Sequence, residues 1–214
     1  MDKKEKAARI GSAAIPVFRK LGYDRTRMAD IAEAAGVGKG TLYEYFRNKD
    51  EIFRFEFQGY FDAFQSGALA AMAGAGSPGA RLLSLIDFAV AHVTEWEDHC
   101  AVYVDYFGAV RSDADAAYSL SKIYTEIEDV IRVLIEDGQA SGEIDGGLDP
   151  SATAELLVSV FEGVVLHRVF GERRSKPESL RAPALRLVTR GIFLAPLPDR
   201  QRGKSNDEVA SNSR

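Results

Sequence analysis

The stretch TRMADIAEAAGVGKGTLYEYFRNK, residues 26–49, decides how the chain is read. Thr26 can cap a helix by accepting from its free N–H groups, and Met28, Ile31, Ala32 and Ala35 then recur on one face at three- and four-residue spacing. Gly36 ends that helix, because glycine takes the left-handed backbone of a helix C-cap without steric cost. Gly36-Val37-Gly38 turns the chain sharply, with Val37 as an inward pin. A second helix follows from Lys39 to Phe46, in which Leu42 and Phe46 stand one turn apart and face the first helix. At about 100° per residue, Gly40, Thr41, Tyr43 and Glu44 fall on the opposite side, with Lys39 at the free N-terminus and Lys49 just past the end.

Two short helices meeting at a glycine turn, with one polar face uncovered, are the layout of a helix-turn-helix. Its second helix lies in the major groove, where side chains near the N-terminus reach base edges and flanking lysines and hydroxyls fix phosphates. The expected DNA contacts are Thr26, Arg27, Lys39, Gly40, Thr41, Tyr43, Glu44, Tyr45 and Lys49. Gly40 would let the backbone approach closely. Nucleotide-binding readings of the same glycines fail on spacing. A phosphate loop would need glycine at Glu33 and Ser or Thr at Gly40, and a dinucleotide fingerprint would need a third glycine at Thr41 after a strand. No cofactor is expected.

The stretch resembles the DNA-binding signature of the TetR family of bacterial transcriptional repressors. The resemblance rests on Lys20-Leu21-Gly22-Tyr23, Ile31-Ala32, Ala35-Gly36-Val37, Gly40-Thr41-Leu42-Tyr43, Tyr45-Phe46 and Lys49, and covers about the first 55 residues. It implies an all-α fold and a dimer joined by the last two long helices as a four-helix interface.

Charge separates the chain into two regions. Residues 1–50 carry 11 Lys and Arg against 7 Asp and Glu, whereas the 214-residue chain as a whole has a net charge of −5. A basic module on an acidic body confines phosphate contacts to one face. The N-terminus has no apolar leader core, and no run approaches the roughly 18 apolar residues of a membrane span. A cytoplasmic protein without a membrane partner is expected. The single cysteine, Cys100, suits a reducing compartment, as a buried thiol more than as a redox switch.

Helical periodicity continues throughout, so the fold expected is all-α. The first helix runs from Lys3 to Leu21 with Ile10, Ala14, Val17, Phe18 and Leu21 inward, and Pro16 predicts a kink or restart. Asn48 and Glu51 form a capping box for a helix from Lys49 to Met72. Further helices are expected over 80–96, 100–110, 114–138, 150–169 and 178–194, broken at His99, at Ser112-Asp113, over 141–147 and over 175–177. Asp149-Pro150 is a helix start. The division expected is a DNA-binding domain at 1–50, an effector-binding and dimerisation domain at 51–196 and a disordered tail at 197–214.

The body helices carry many aromatic residues among a few polar ones. That mixture is what a selective pocket needs, although an aromatic stripe at helical spacing more often packs a core. The expected effector contacts are Phe61, Phe64, Phe88, His92, Trp96, Tyr103, Phe107, Tyr124 and Phe161. His92, His99 and His167 show no ligand spacing with one another or with Cys100, so no metal is expected, and no nucleophile motif suggests catalysis. The helices containing Leu156, Leu157, Val160, Phe161, Val164 and Val165, and Leu185, Leu187, Val188, Ile192 and Phe193, are wide enough in apolar surface for two burial partners. A homodimer follows, with Gly163 permitting close approach. The function expected is a repressor that binds palindromic operator DNA and releases it on binding a small lipophilic or aromatic effector. An all-α enzyme would have no use for residues 26–49, and a constitutive architectural binder without effector would be favoured by the absence of a thermal shift with lipophilic compounds.

Overall fold

The computed structural model of the chain describes residues 3–109, 114–171 and 175–193, and of 114–120 the backbone alone. The described residues form α1 (Lys3–Leu21), α2 (Met28–Ala34), α3 (Lys39–Tyr45), α4 (Lys49–Ala73), α5 (Pro78–Ala91), α6 (Val93–Ala109), α7 (Ala114–Ala140), α8 (Pro150–Phe170) and α9 (Arg181–Gly191), with a 3-10 turn at Pro177–Leu180. No strand occurs among them. The expected tail lies outside the described residues.

The α1 stripe is Ile10, Gly11, Ala14 and Phe18, all buried, with Val17 and Leu21 at its margin. The helix does not restart at Pro16. Pro16 and Ser12, whose carbonyl loses its amide partner to the ring, are both exposed, so water can take the orphaned acceptor. In α4 the cap is half of the expected box. Asn48 Oδ1 accepts from Glu51 N at 2.8 Å, but the Glu51 carboxylate reaches Arg47 N at 2.7 Å, one residue short of the cap.

The break expected at His99 is instead at His92. His99 stays inside α6, its Nδ1 2.9 Å from Glu95 O and its ring stacked on Tyr60 at 4.0 Å. At His92 the chain leaves helical geometry for one residue, yet Trp96 N still donates to His92 O at 3.1 Å. The result is a bend between α5 and α6 rather than a loop. The C-terminal expectation also shifts, since a 3-10 turn precedes a shorter α9.

Three apolar clusters hold the helices together. The first joins Ile10, Phe18, Ile31, Leu42 and Phe46 of the N-terminal helices to Ile52, Phe53 and Phe57 of α4 and Val102, Tyr103 and Tyr106 of α6. Each such large side chain, fully buried, contributes about 1.5–3 kcal/mol. The second gathers Met72, Leu82, Ile131, Leu134, Ile135, Ile144, Ala154 and Ile192 at the far end of the body. The third, Val93, Cys100 and Val165, seals α6 against α8. The expected boundary at residue 50 falls in the first turn of α4, and packing is continuous across it.

Candidate nucleic-acid interface and interior cavity

The α2–α3 turn has the hydrogen bonds that its glycine permits. Gly36 has φ 65°, Gly36 N donates to Glu33 O at 3.1 Å and Val37 N to Ala32 O at 3.0 Å, a Schellman closure that points Val37 inward. Leu42 and Phe46 are buried as the spacing predicts. Lys39, Gly40, Tyr43 and Glu44 are exposed and Thr41 and Tyr45 partly so, Tyr43 at 55%. A Cβ built on Gly40 would meet nothing within 4 Å. The Lys6 ammonium sits 5.6 Å over the Tyr45 ring.

Three residues of the expected DNA face are placed differently from the others. Thr26 is buried, and its hydroxyl donates to Gly22 O at 2.8 Å, so it neither caps α2 nor reaches the surface. The start of α2 is instead closed by Asp30, whose carboxylate accepts from Arg27 N at 2.9 Å. The Arg27 guanidinium is exposed but forked onto the same carboxylate at 3.2 and 3.0 Å. Such a surface pair is weak enough to open for phosphate. Lys49 Nζ donates to Tyr23 O at 2.6 Å and Asp24 O at 2.9 Å and lies 4.4 Å over the Tyr23 ring. It therefore holds the α1–α2 turn instead of standing clear at the surface. Arg47, not singled out from the sequence, is a more exposed cation, its side chain 90% exposed and 3.8 Å from the Glu51 carboxylate. Its position directly after Phe46 was the available signal.

The N-terminal module rests on one end of α6. Tyr106 stacks on Phe53 with ring centroids 3.8 Å apart and meets Tyr23 edge-on at 4.9 Å, while its hydroxyl donates to Asp50 Oδ1 at 2.5 Å. Tyr23 N donates to the Asp105 carboxylate, and Arg19 pairs with Asp98 at 2.6 Å. The other side of α6 is tied to α8 by the buried Glu97–Arg168 ion pair. Arg168 Nη1 also donates to Ser175 O at 3.0 Å.

Between α4 and α9 the body holds a cavity of about 300 Å³, open to the surface where the exposed Val160 and Leu187 line it. Of the nine expected effector contacts, Phe61, Phe64, Trp96, Tyr124 and Phe161 line it. The other four do not. Phe88 and His92 pack on each other at 4.0 Å, with Phe88 pressed onto Gly67, and His92 Nδ1 is 2.8 Å from Phe88 O. Tyr103 and Phe107 belong to the aromatic core around Phe53 and Phe57. The sequence reading missed Tyr60, whose buried hydroxyl has no hydrogen-bond partner, and Glu162, both of which line the cavity. Glu162 was legible as the one charge inside the apolar run Leu156–Val165. Burial raises its carboxyl above the ordinary value, opposed by the Tyr124 hydroxyl. The remaining wall is aliphatic, including Leu85, Ile86, Leu157 and Val188.

No group of three or more possible metal ligands occurs among the described residues. Cys100 is buried, and burial pushes its thiol up to about 11, which leaves it unreactive. No described helix is long and apolar enough to cross a membrane.

Residues 10–54 match the family model described as bacterial regulatory proteins, tetR family, and residues 78–192 match the one described as BetI-type transcriptional repressor, C-terminal. The chain belongs to the TetR family. It is a DNA-binding transcriptional regulator and not an enzyme. The fatty acid metabolism regulator protein of Bacillus subtilis (strain 168) is 25% identical over 193 residues, 89% of this chain and 97% of the relative. Among solved TetR-like folds, the fatty acid degradation regulator FadR from Bacillus halodurans has a TM-score of 0.77 at 22% identity, covering 89% of this chain and 98% of that one. A transcriptional regulator from Saccharomonospora viridis in complex with choline has a TM-score of 0.78 at 18% identity, covering 90% and 100%.

Proposed function

We propose that this TetR-family regulator is a homodimeric repressor that leaves its operator when a small, largely apolar or aromatic molecule fills the cavity. The reading divides the chain into a DNA-binding domain at 1–50 and an effector-binding and dimerisation domain at 51–196. The observation that carries it is the shared helix α4. Tyr60, Phe61 and Phe64 line the cavity from the helix whose first turn carries Asp50 and Lys49 beside the helix-turn-helix. A ligand that alters the packing of α4 therefore tilts the module that reads DNA. Two relatives' names speak of fatty acid metabolism or degradation and one structure holds choline, which leaves the effector class to be argued from the cavity itself.

Dimerisation is supported by the surface of α8. Leu156, Val160, Gly163, Leu166 and Phe170 follow one another along α8 at three- and four-residue spacing, the four apolar ones exposed, Phe170 at 67%, and Leu187 of α9 is 75% exposed. A Cβ built on Gly163 would meet nothing within 4 Å. Monomeric proteins rarely leave such a patch uncovered. Two copies place two recognition helices about 34 Å apart, or a multiple of that, on a palindromic duplex.

The test is operator binding by the full chain at fixed salt, with and without ligands that change Trp96 emission. Coupling of the usual size predicts about a tenfold to hundredfold loss of affinity. A ligand that fills the cavity and leaves operator affinity unchanged would refute effector control. A Leu156→Glu chain that still sediments as a dimer would refute the interface.

A further inference from the structure

The cavity contains one feature that an ordinary lipophilic site does not need. Glu162 is the only charged residue among its lining, and no lysine, arginine or histidine of the described residues pairs with it. The Tyr124 hydroxyl is the one polar group that favours its charged form, although a carboxylate offers about four acceptor positions. The charged group whose field it feels most is Glu128, another acid. A carboxylate held in apolar surroundings without a counter-charge costs free energy in the empty protein, and a hydrogen bond to Tyr124 alone would be served equally well by glutamine.

The same lining includes the aromatic rings of Trp96, Tyr60 and Phe161. Trp96 and Phe161 pack in one cluster with Val93, Cys100 and Val165, and Phe161 directly precedes Glu162 in α8. Tyr60 lies nearly parallel to Trp96, with ring centroids 5.4 Å apart and an interplanar angle of 16°, an offset pair whose Tyr60 ring also stacks on His99 at 4.0 Å. A carboxylate in one lining with aromatic rings attracts positive charge from two sources, the ion pair and the ring quadrupoles, and apolar surroundings strengthen both. It repels a ligand carboxylate for the same reason.

We propose that the effector carries an organic cation, an amine or quaternary ammonium on an aromatic or aliphatic body, with Glu162 as its counter-ion and Trp96, Tyr60 and Phe161 as its aromatic walls. This rests on the effector-cavity reading above and selects a ligand class within it. Free fatty acids, whose carboxylate would face Glu162, are selected against. The aliphatic side of the cavity accepts the ligand's apolar body.

Three probes of matched shape separate the possibilities: 3-phenylpropyltrimethylammonium, 3-phenylpropan-1-ol and 4-phenylbutanoate. Binding is read from emission of the single tryptophan, Trp96, in the full-length protein and from the shift in melting temperature. The cation binds most tightly and the carboxylate least. Glu162→Gln lowers cation affinity about tenfold to a hundredfold and leaves the alcohol within about twofold, whereas Tyr124→Phe, which keeps the charge, retains the cation preference. Equal binding of cation and alcohol by the wild type overturns the proposal, and that ranking decides even without the variants. A cation preference that survives Glu162→Gln overturns it too, by assigning the preference to the acidic body at large. If none of the three probes perturbs Trp96 or the melting temperature, the effector cavity itself fails, and the cation with it.

Discussion

The Tyr106 hydroxyl donates to Asp50 Oδ1 across 2.5 Å, joining the body helix α6 to the first turn of α4. Asp50 also accepts from Arg54 Nε at 2.8 Å, so its carboxylate is shared between its own helix and α6. Tyr106 is 1% exposed, and burial together with the Asp50 carboxylate raises its phenol well above the usual value. The contact stays protonated across the physiological range and does not act as a pH switch.

Tyr106→Phe removes the bond and keeps the ring on Phe53. Because Asp50 retains Arg54 and is partly solvated, the expected loss of stability is about 1–2 kcal/mol, the usual range for a bond to a charged group after that discount. The larger effect expected is on regulation. If α6 sets the start of α4 through this bond, the ratio of operator affinity without and with effector falls toward one in the variant. An unchanged ratio, measured by anisotropy with the same ligand, would remove Tyr106 from the coupling.

The helix-turn-helix was legible because its determinants are local. Gly36, Leu42 and Phe46 specify turn and buried face within eleven residues of one another. The placement of the Thr26 and Lys49 side chains was not legible, for the opposite reason. The Thr26 hydroxyl turns back to Gly22 O, and the Lys49 ammonium finds carbonyls 25 and 26 residues away, choices that periodicity does not encode. The α5–α6 bend has no glycine or proline at His92 to announce it, and its hydrogen bonds continue across. Among the aromatic residues, spacing shows which face is apolar but not whether a neighbour fills the space in front of it. Phe61 and Tyr103 lie within 6.3 Å of each other, yet only Phe61 borders the cavity.

Lys49 and Arg47 are expected to separate in salt-dependence experiments. Lys49→Ala loosens the turn between α1 and α2, lowering operator affinity at every salt concentration with little change in slope. Arg47→Ala removes an exposed cation beside the recognition helix and takes about one unit from the slope of log affinity against log salt. The reverse pattern would return Lys49 to the phosphate contacts.

Glu162 predicts a pH dependence of stability with a definite sign. Burial raises its carboxyl in the folded protein, so the native state holds that proton more tightly than the unfolded chain does. The stability this provides is fully present below the native value's window and is lost as pH rises from the ordinary carboxylate range through the raised one. Glu162→Gln, free of that titration, is expected to melt above the wild type at pH 8, with the gap closing as the solution is acidified. Glu56 is raised by burial too, but it is common to both proteins and cancels in the comparison. A gap that stays constant with pH would show that Glu162 is not titrating within the window.

Glu44 is the residue of the recognition helix least suited to DNA. It is exposed, and none of the hydrogen bonds or ion pairs among the described residues involves it, so Glu44→Gln is expected to change stability by no more than about 0.5 kcal/mol. Any effect on binding then reports on DNA alone. A carboxylate accepting from a cytosine amino group would carry about 1–3 kcal/mol of base discrimination, and its loss would relax specificity at one base pair per half-site. A carboxylate that only faces the phosphates opposes every duplex alike. Exposed Lys39 and Tyr43 leave the base edges within reach of other side chains on the same face, which favours repulsion. Glu44→Gln is therefore expected to tighten operator and scrambled duplex equally at one salt concentration. Weakening confined to the operator would instead make Glu44 a base-reading residue.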